Sequence, residues 1–198
     1  SLKNYKCKII FMSSVEVFDG KKDIYYENDK VNPLNYYGKM KVDVENYLKS
    51  EIKNHLILRT SWNSSFTLNY RCVIQLTYNS ILKDNAIMAT DNELSITYVK
   101  DLSKYIYKFL NTNEKIIHIA NNNKILRYQI AELIKLYSKF RNKMKFKKVA
   151  YKKIKYKEPR GLKNLLGTKI INKYYKINFM KIENIIKKKV KIIDEKSI

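Results

Sequence analysis

Tyr37 and Lys41 stand four residues apart in the stretch PLNYYGKMKVDVE, and Ser14 lies upstream at the end of an apolar run. Residues four apart on a helix share a face. An ammonium beside a phenol favours the phenolate and lowers the tyrosine pKa from its ordinary value of about 10. A tyrosine tuned in this way donates a proton to a carbonyl and is then reloaded. A serine hydroxyl held nearby hydrogen-bonds the same carbonyl oxygen. That oxygen gains negative charge when hydride arrives, so donors aimed at it lower the barrier. The set suits ketone reduction or alcohol oxidation.

Spacing alone does not make a site. With 17 tyrosines and 41 Lys plus Arg, Tyr-x-x-x-Lys occurs three times, at Tyr26–Lys30, Tyr37–Lys41 and Tyr151–Lys155. Taken singly, Tyr37 is an aromatic in a first helical turn, Ser14 a turn or capping residue, and Trp62 a packing residue. His55 and His118 sit in apolar runs and read as structural histidines. What separates Tyr37–Lys41 from the other pairs is the set of elements around it.

Lys8 to Met12 is a short apolar run without alternation, as expected for a strand buried on both faces of a parallel sheet. A helical pattern follows from about Asn35 to Ser50, and the next strand is His55 to Arg59. Strand, long helix and strand make a βαβ unit, and such crossovers favour a parallel sheet. Ligands collect at the C-terminal ends of strands in open parallel sheets. Ser14 falls at one such end, Thr60-Ser61-Trp62 at the other, and Tyr37 and Lys41 open the helix between them. Downstream, helices are expected over about Tyr70–Leu82, Asp101–Leu110, Leu126–Phe140 and Asn178–Val190. Short strands are expected over Ala86–Ala89, Leu94–Tyr98, Lys115–Ala120 and Lys145–Val149, with a loop at Glu158–Gly161. The fold class is α/β: a partial Rossmann-like parallel sheet in residues 1–62, then a smaller mixed α/β substrate-binding part in 63–198. Some segments of the second part are expected to pack back on the first sheet.

Composition narrows the class. No run approaches the roughly 18 apolar residues of a membrane-spanning helix, and no secretory leader pattern opens the chain. Cys7 and Cys72 lie far apart and outside metal-ligand spacing, which fits a reducing cytoplasm and argues against a zinc site or disulfide framework. No Asp/Glu cluster suggests another metal. The formal net charge is +23. Abundant Lys with Ile, Asn and Tyr resembles biased composition, and runs such as Lys187-Lys188-Lys189 read as a solvated helix face. Neither a specific nucleic-acid partner nor a membrane is expected.

Three blocks, IIFMSSVEVFDG, PLNYYGKMKVDVE and LILRTSW, resemble the extended short-chain dehydrogenase/reductase family. In order and spacing they are similar to its dTDP-4-dehydrorhamnose reductases. SITYVKDLSKYI and IIHIANNNKILRYQIAELI resemble later family segments, so the likeness runs from about Lys8 to Leu136, with Glu158-Pro159-Arg160 a weak echo beyond. The resemblance implies NADPH- or NADH-dependent reduction of a 4-keto group on a nucleotide-diphosphate deoxysugar, in surface polysaccharide synthesis. Ser14 then binds the carbonyl, Tyr37 donates the proton, and Lys41 holds the nicotinamide ribose. Thr60 and Ser61 lie near the nicotinamide. Ser14, Val15, Glu16 and Trp62 meet the substrate. A homodimer is compatible with the resemblance.

Two features depart from the family. Val15-Glu16 replaces its Asp-Tyr after the catalytic hydroxyl residue, which bears on the identity of the sugar. The four glycines, at 20, 38, 161 and 167, form no Gly-x-x-Gly-x-x-Gly turn of the kind that cradles a pyrophosphate. These residues are therefore expected to hold the catalytic half and the substrate part, and to be inactive by themselves. Epimerases and dehydratases of the same family, and a non-catalytic reductase-like subunit, are the alternatives; Val17-Phe18-Asp19-Gly20 and Thr60-Ser61-Trp62 favour the reductase.

Overall fold

The computed structural model describes residues 7–68, 72–83, 86–175 and 178–196. Among these described residues, ten strands and six α-helices follow one another in the order β1 (Ile9–Ser14), α1 (Tyr36–Glu51), β2 (His55–Thr60), β3 (Trp62–Ser64), α2 (Val73–Leu82), β4 (Ala86–Ala89), β5 (Glu93–Leu94), β6 (Ile96–Tyr98), α3 (Val99–Lys108), β7 (Ile116–Ile119), β8 (Ile125–Leu126), α4 (Arg127–Tyr137), β9 (Phe146–Val149), β10 (Lys163–Asn164), α5 (Lys169–Tyr174) and α6 (Ile182–Lys196).

β1, β2 and β7 form a parallel sheet in that order. β2, in the middle, is buried at every residue, because helices cover both faces. Leu56 and Leu58 join Ile117 and Ile119 against Leu102 and Tyr105 of α3, Phe109 just after it, and Ile171 of α5. Ile57 points the other way, with Leu48 of α1 and Ile52. This is the period-2 alternation of a strand sandwiched between layers. β7, α3 and α5 thus build on the first sheet although they come from the second half of the chain. β3 runs across position 62.

The register sets the site. Ser14 pairs with Thr60 and Thr60 with Ile119, so all three strands end at one level. α1 returns along the sheet from that end. Gly38 in its first turn is required there: a Cβ would meet the Glu16 carbonyl oxygen at 2.2 Å and Pro33 Cβ at 2.9 Å. The helix can approach the strand end only at a residue without a side chain.

A second core gathers α2, α4 and α6 around residues such as Ile74, Ile130, Ile134, Ile185 and Ile186. Several boundaries differ from the sequence expectation. The last helix begins four residues later than Asn178 and runs to Lys196. The strand expected over Leu94–Tyr98 is split into β5 and β6, which enter different sheets. The strands flanking Asp91-Asn92 do not pair with each other: β4 pairs with β9, and β5 with β8 and β10. β3, β8, β10 and α5 were not foreseen: strands of two or three residues are too short for a local pattern, and the six residues of α5 span less than two helical turns. The expected start of α2 at Tyr70 lies outside the described residues. Lys189 also departs from expectation. It is fully buried, unlike Lys187 and Lys188, and its ammonium donates to the Thr67 carbonyl.

Candidate active site

Ser14 closes β1 and caps the short 3-10 turn Val15–Val17, its Oγ accepting from Glu16 N at 3.2 Å. Its capping role therefore coexists with any role toward a ligand. The next residues are drawn in by Asn35. Its Oδ1 caps α1 by accepting from Gly38 N at 2.8 Å, and its Nδ2 donates to Glu16 Oε2 at 2.7 Å and to the Pro159 carbonyl at 3.1 Å. Arg160 Nη1 stands 3.7 Å from Glu16 Oε1, and its guanidinium lies 5.8 Å from the Trp62 ring centre. Gly161 packs against Gly20, which has φ +68. The loop Glu158–Gly161 is thereby strapped over the strand ends.

Tyr37 is half exposed at the start of α1. The Lys41 ammonium lies 5.5 Å from its ring centre and 4.7 Å from that of Phe11, and donates to the Met12 carbonyl at 2.8 Å. Burial lowers the Lys41 pKa, and the Glu45 charge one turn on acts against that shift. Ser14, Tyr37, Ser61 and Trp62 line one cavity of about 400 Å³, together with Val15, Glu16, Asn35, Asn63 and the strap residues Glu158 and Arg160. Lys41 and Thr60 stand behind it. Thr60 Oγ1 accepts from Asn63 Nδ2 at 3.2 Å, and Ser61 Oγ donates to the carbonyls of Ser95 and Asn164, at 3.2 and 3.1 Å.

Two lining residues carry buried polar atoms without a protein partner, the donor Trp62 Nε1 and the acceptor Asn63 Oδ1. Leaving such atoms unpaired costs free energy, and a polar ligand in the cavity would satisfy them. These orphans, beside the Ser14 hydroxyl and the Tyr37 phenol, fit a hydroxylated, carbonyl-bearing molecule and the ribose–nicotinamide end of a dinucleotide. Among the described residues no cluster of His, Cys, Asp or Glu could hold a metal ion, and no helix is long and apolar enough to cross a membrane.

A second cavity of about 590 Å³ shares Glu16, Trp62 and Arg160 with the first and adds Arg127, Tyr151, Tyr156 and Asn92. Burial, and then the neighbouring Arg160 charge, lower the Arg127 pKa, which the Tyr156 phenol partly opposes. Tyr151 and Tyr156 stack at 5.1 Å, and Tyr151 Oη donates to the Arg160 carbonyl at 2.8 Å. Burial, then Tyr156 and Glu16, push the Tyr151 phenol up to about 12. Asn35, Asn63, Arg127, Tyr151 and Tyr156 escaped the sequence reading. Asn35 alone left a signal, as the N-cap residue two positions after a proline. The Tyr26–Lys30 pair lies elsewhere, Tyr26 facing Gly167 and Lys169. His118 is fully buried; burial, and then Arg59, hold its imidazole down at about 3.

The sequence pattern of the RmlD substrate binding domain matches residues 2–194, well past Leu136 where the motif likeness faded. A dTDP-4-dehydrorhamnose reductase of Sinorhizobium fredii is 44% identical over 55 residues, 27% of this chain and 19% of that protein. The crystal structure of the dTDP-4-dehydrorhamnose reductase of Bacillus anthracis in complex with NADP is similar with a TM-score of 0.76 at 22% identity, over 91% of this chain and 63% of that one. A UDP-glucuronic acid 4-epimerase of Bacillus cereus, solved with UDP-glucuronic acid and NAD, reaches 0.80 at 15% identity, over 98% of this chain and 64% of that one. At those identities the two structural likenesses concern the fold, which reductase and epimerase share. The chain spans less than two thirds of the length of each of these proteins.

Proposed function

This chain belongs to the RmlD substrate binding domain family, and from that premise we propose that it serves the NAD(P)H-dependent reduction of the 4-keto group of a nucleotide-diphosphate deoxysugar, a sugar made for surface polysaccharide. The observation that carries the reading is the convergence of Ser14, Tyr37 and Trp62 on one cavity that shares Glu16, Trp62 and Arg160 with a second, in which Arg127 also stands.

Bound at the strand ends, a nicotinamide cofactor supplies the hydride. Ser14 Oγ donates to the ketone oxygen and holds it. Tyr37 donates its phenolic proton to that oxygen as it becomes an alkoxide. Lys41 stands behind Tyr37, favours the phenolate left after transfer, and meets the ribose next to the nicotinamide. Thr60 and Ser61 support this end of the site through the backbone positions they fix. Trp62 and Asn63 take sugar hydroxyls. Arg127 and Arg160 meet the diphosphate, for which arginine has the geometry and lasting charge, and the Tyr151–Tyr156 pair offers a face to the base. Trp62 at the strand end and Phe18-Asp19-Gly20 after the serine favour reduction over epimerisation.

Trp62 is the sole tryptophan, so nucleotide-sugar binding reports itself as a change in fluorescence excited at 295 nm. Titrating with dTDP is expected to quench Trp62, and Arg127→Ala to weaken the midpoint at least tenfold. Fused to the glycine-rich dinucleotide-binding part of a related reductase, which these residues do not contain, and given NADPH and a dTDP-4-keto-6-deoxysugar, the chain is expected to lower the absorbance at 340 nm, and Tyr37→Phe to slow that fall at least a hundredfold. Binding without turnover in that fusion points to the non-catalytic alternative. Quenching that survives Arg127→Ala unchanged removes the diphosphate assignment.

A further inference from the structure

The face that α1 turns to the sheet is not its most apolar face. Tyr36, Met40, Val44 and Tyr47 are exposed, whereas Glu45, one turn beyond Lys41, is fully buried. Its carboxylate is met from three elements. Arg59 on β2 makes a two-point contact, Nη2 to Oε2 at 2.6 Å and Nε to Oε1 at 2.9 Å. Ser13 Oγ on β1 donates to Oε1 at 2.6 Å. Lys49, on α1 itself, places its ammonium 3.6 Å from Oε2. Arg59 is in turn held over the Phe18 ring, at 5.1 Å, with Nη1 at 3.3 Å from the Glu27 carbonyl. Each of the three buried partners adjoins a residue of the site. Ser13 precedes Ser14, Arg59 precedes Thr60, and Glu45 follows Lys41 by four.

A buried ion pair is a poor choice for holding a helix down, since apolar side chains of similar volume serve as well or better. What a planar, two-point arginine–carboxylate contact adds is geometry. It permits one rotation of α1 about its axis and one position along it. We propose that Glu45, clamped by Arg59 and Ser13, is a positioning residue for Lys41 and Tyr37, setting the helix against the strand ends and placing a negative charge one turn from the Lys41 ammonium. Its catalytic meaning rests on the reductase reading above; its effect on Lys41 does not. Lys41 faces Tyr37 and Glu45 on its own helix and Phe11 and the Met12 carbonyl on β1, with Arg59 beyond Glu45.

The test is the pH dependence of Lys41 acylation in the 198-residue chain, read by mass spectrometry, with exposed Lys39 on the same helix as the internal control and circular dichroism to follow the fold. Glu45→Gln is expected to lower the Lys41 midpoint by about one pH unit, the scale of losing a nearby opposite charge, with Lys39 unmoved. Glu45→Asp keeps the charge and is expected to restore most of that midpoint. Should Glu45→Gln fail to fold, Ser13→Ala carries the test: it is expected to raise the Lys41 acylation rate at fixed pH several-fold while Lys39 stays constant. Folded variants with an unchanged Lys41 profile overturn the proposal and leave the pair a purely structural contact. In the NADPH assay, Glu45→Asp is expected to lose roughly tenfold or more in kcat with KM within twofold, as misplaced reacting groups do. A wild-type fusion that does not turn over sinks the reductase reading, while the acylation profile of the 198-residue chain still decides the positioning.

Discussion

Between Ile9 and Trp62 the decisive ionic groups are buried and matched, whereas between Lys135 and Lys196 they stand mostly in solvent. In the first stretch Glu45 and Arg59 are almost wholly inaccessible and bind each other at two points. In the second, residues 135–198 hold 22 of the 41 Lys plus Arg and only 4 of the 18 Asp plus Glu. Two broad hollows of about 860 and 900 Å³ on that surface are lined by lysines such as Lys135, Lys147, Lys187 and Lys191, away from the candidate site. Its ion pairs are exposed, as between Lys148 and Glu132, each nearly half accessible. The formal charge of the chain is thus concentrated on a mostly solvated stretch, with Arg160 at the candidate site and the buried Lys189 as exceptions. Two buried charges in the first stretch, which sum to zero, position the site.

The contrast is open to direct attack. Its largest consequence is at Arg59. Arg59→Met takes from the buried Glu45 its two-point partner, leaving only Ser13 and the partly exposed Lys49, and is expected to cost about 3–5 kcal/mol in urea unfolding, while Arg59→Met with Glu45→Met recovers most of that loss. A single-variant cost below about 1 kcal/mol would erase the distinction between the two stretches.

His118 gives the next effect. Its folded pKa of about 3 lies below its ordinary 6.5, so the folded state binds fewer protons than the unfolded chain between those values. The stability it contributes is complete above about pH 6.5 and is lost as pH falls toward 3, at up to about 1.4 kcal/mol per pH unit. Glu45, whose pKa is held low, acts in the same direction: burial alone would raise it, but the Arg59 hydrogen bonds and charge, with Ser13 and Lys49, outweigh that. Glu27, raised by burial, partly opposes both. Unfolding free energies of wild type and His118→Gln measured from pH 7 to 5 are expected to differ in slope by nearly one proton. Equal slopes would remove His118 from the acid response.

The smallest effect is expected in the lysine-rich stretch. Lys148→Ala breaks an exposed pair and should change stability by no more than about 0.5 kcal/mol, an effect that added salt screens. A loss above 1 kcal/mol would mean that the surface charges there act as a network rather than one by one.

The strand–helix–strand unit was legible because its signals are local. IIFM and HLILR are short apolar runs, and Pro33 and Asn35 mark a helix start. Later elements were less so. β10 owes its existence to β5, about seventy positions earlier, and no pattern within Lys163-Asn164 announces it. The lysine triplet at 187–189 looked uniform, yet one member points inward to the Thr67 carbonyl. Helical phase separates them, and phase became readable only once the boundaries of α6 were known.

The sequence by itself determined that a serine, a tyrosine and a lysine would come together at the ends of parallel strands, because the order and lengths of β1, α1 and β2 leave few ways to connect them. Only the tertiary structure decided what surrounds them. Asn35 reaches the Pro159 carbonyl 124 positions away, Glu16 meets Arg160, and Arg127, Tyr151 and Tyr156 gather beside Trp62. Only there, too, did Glu45 acquire the partners that make it the buried anchor of its helix. Contacts of that range arise from how layers pack, and packing is not written in the spacing of neighbours along the chain.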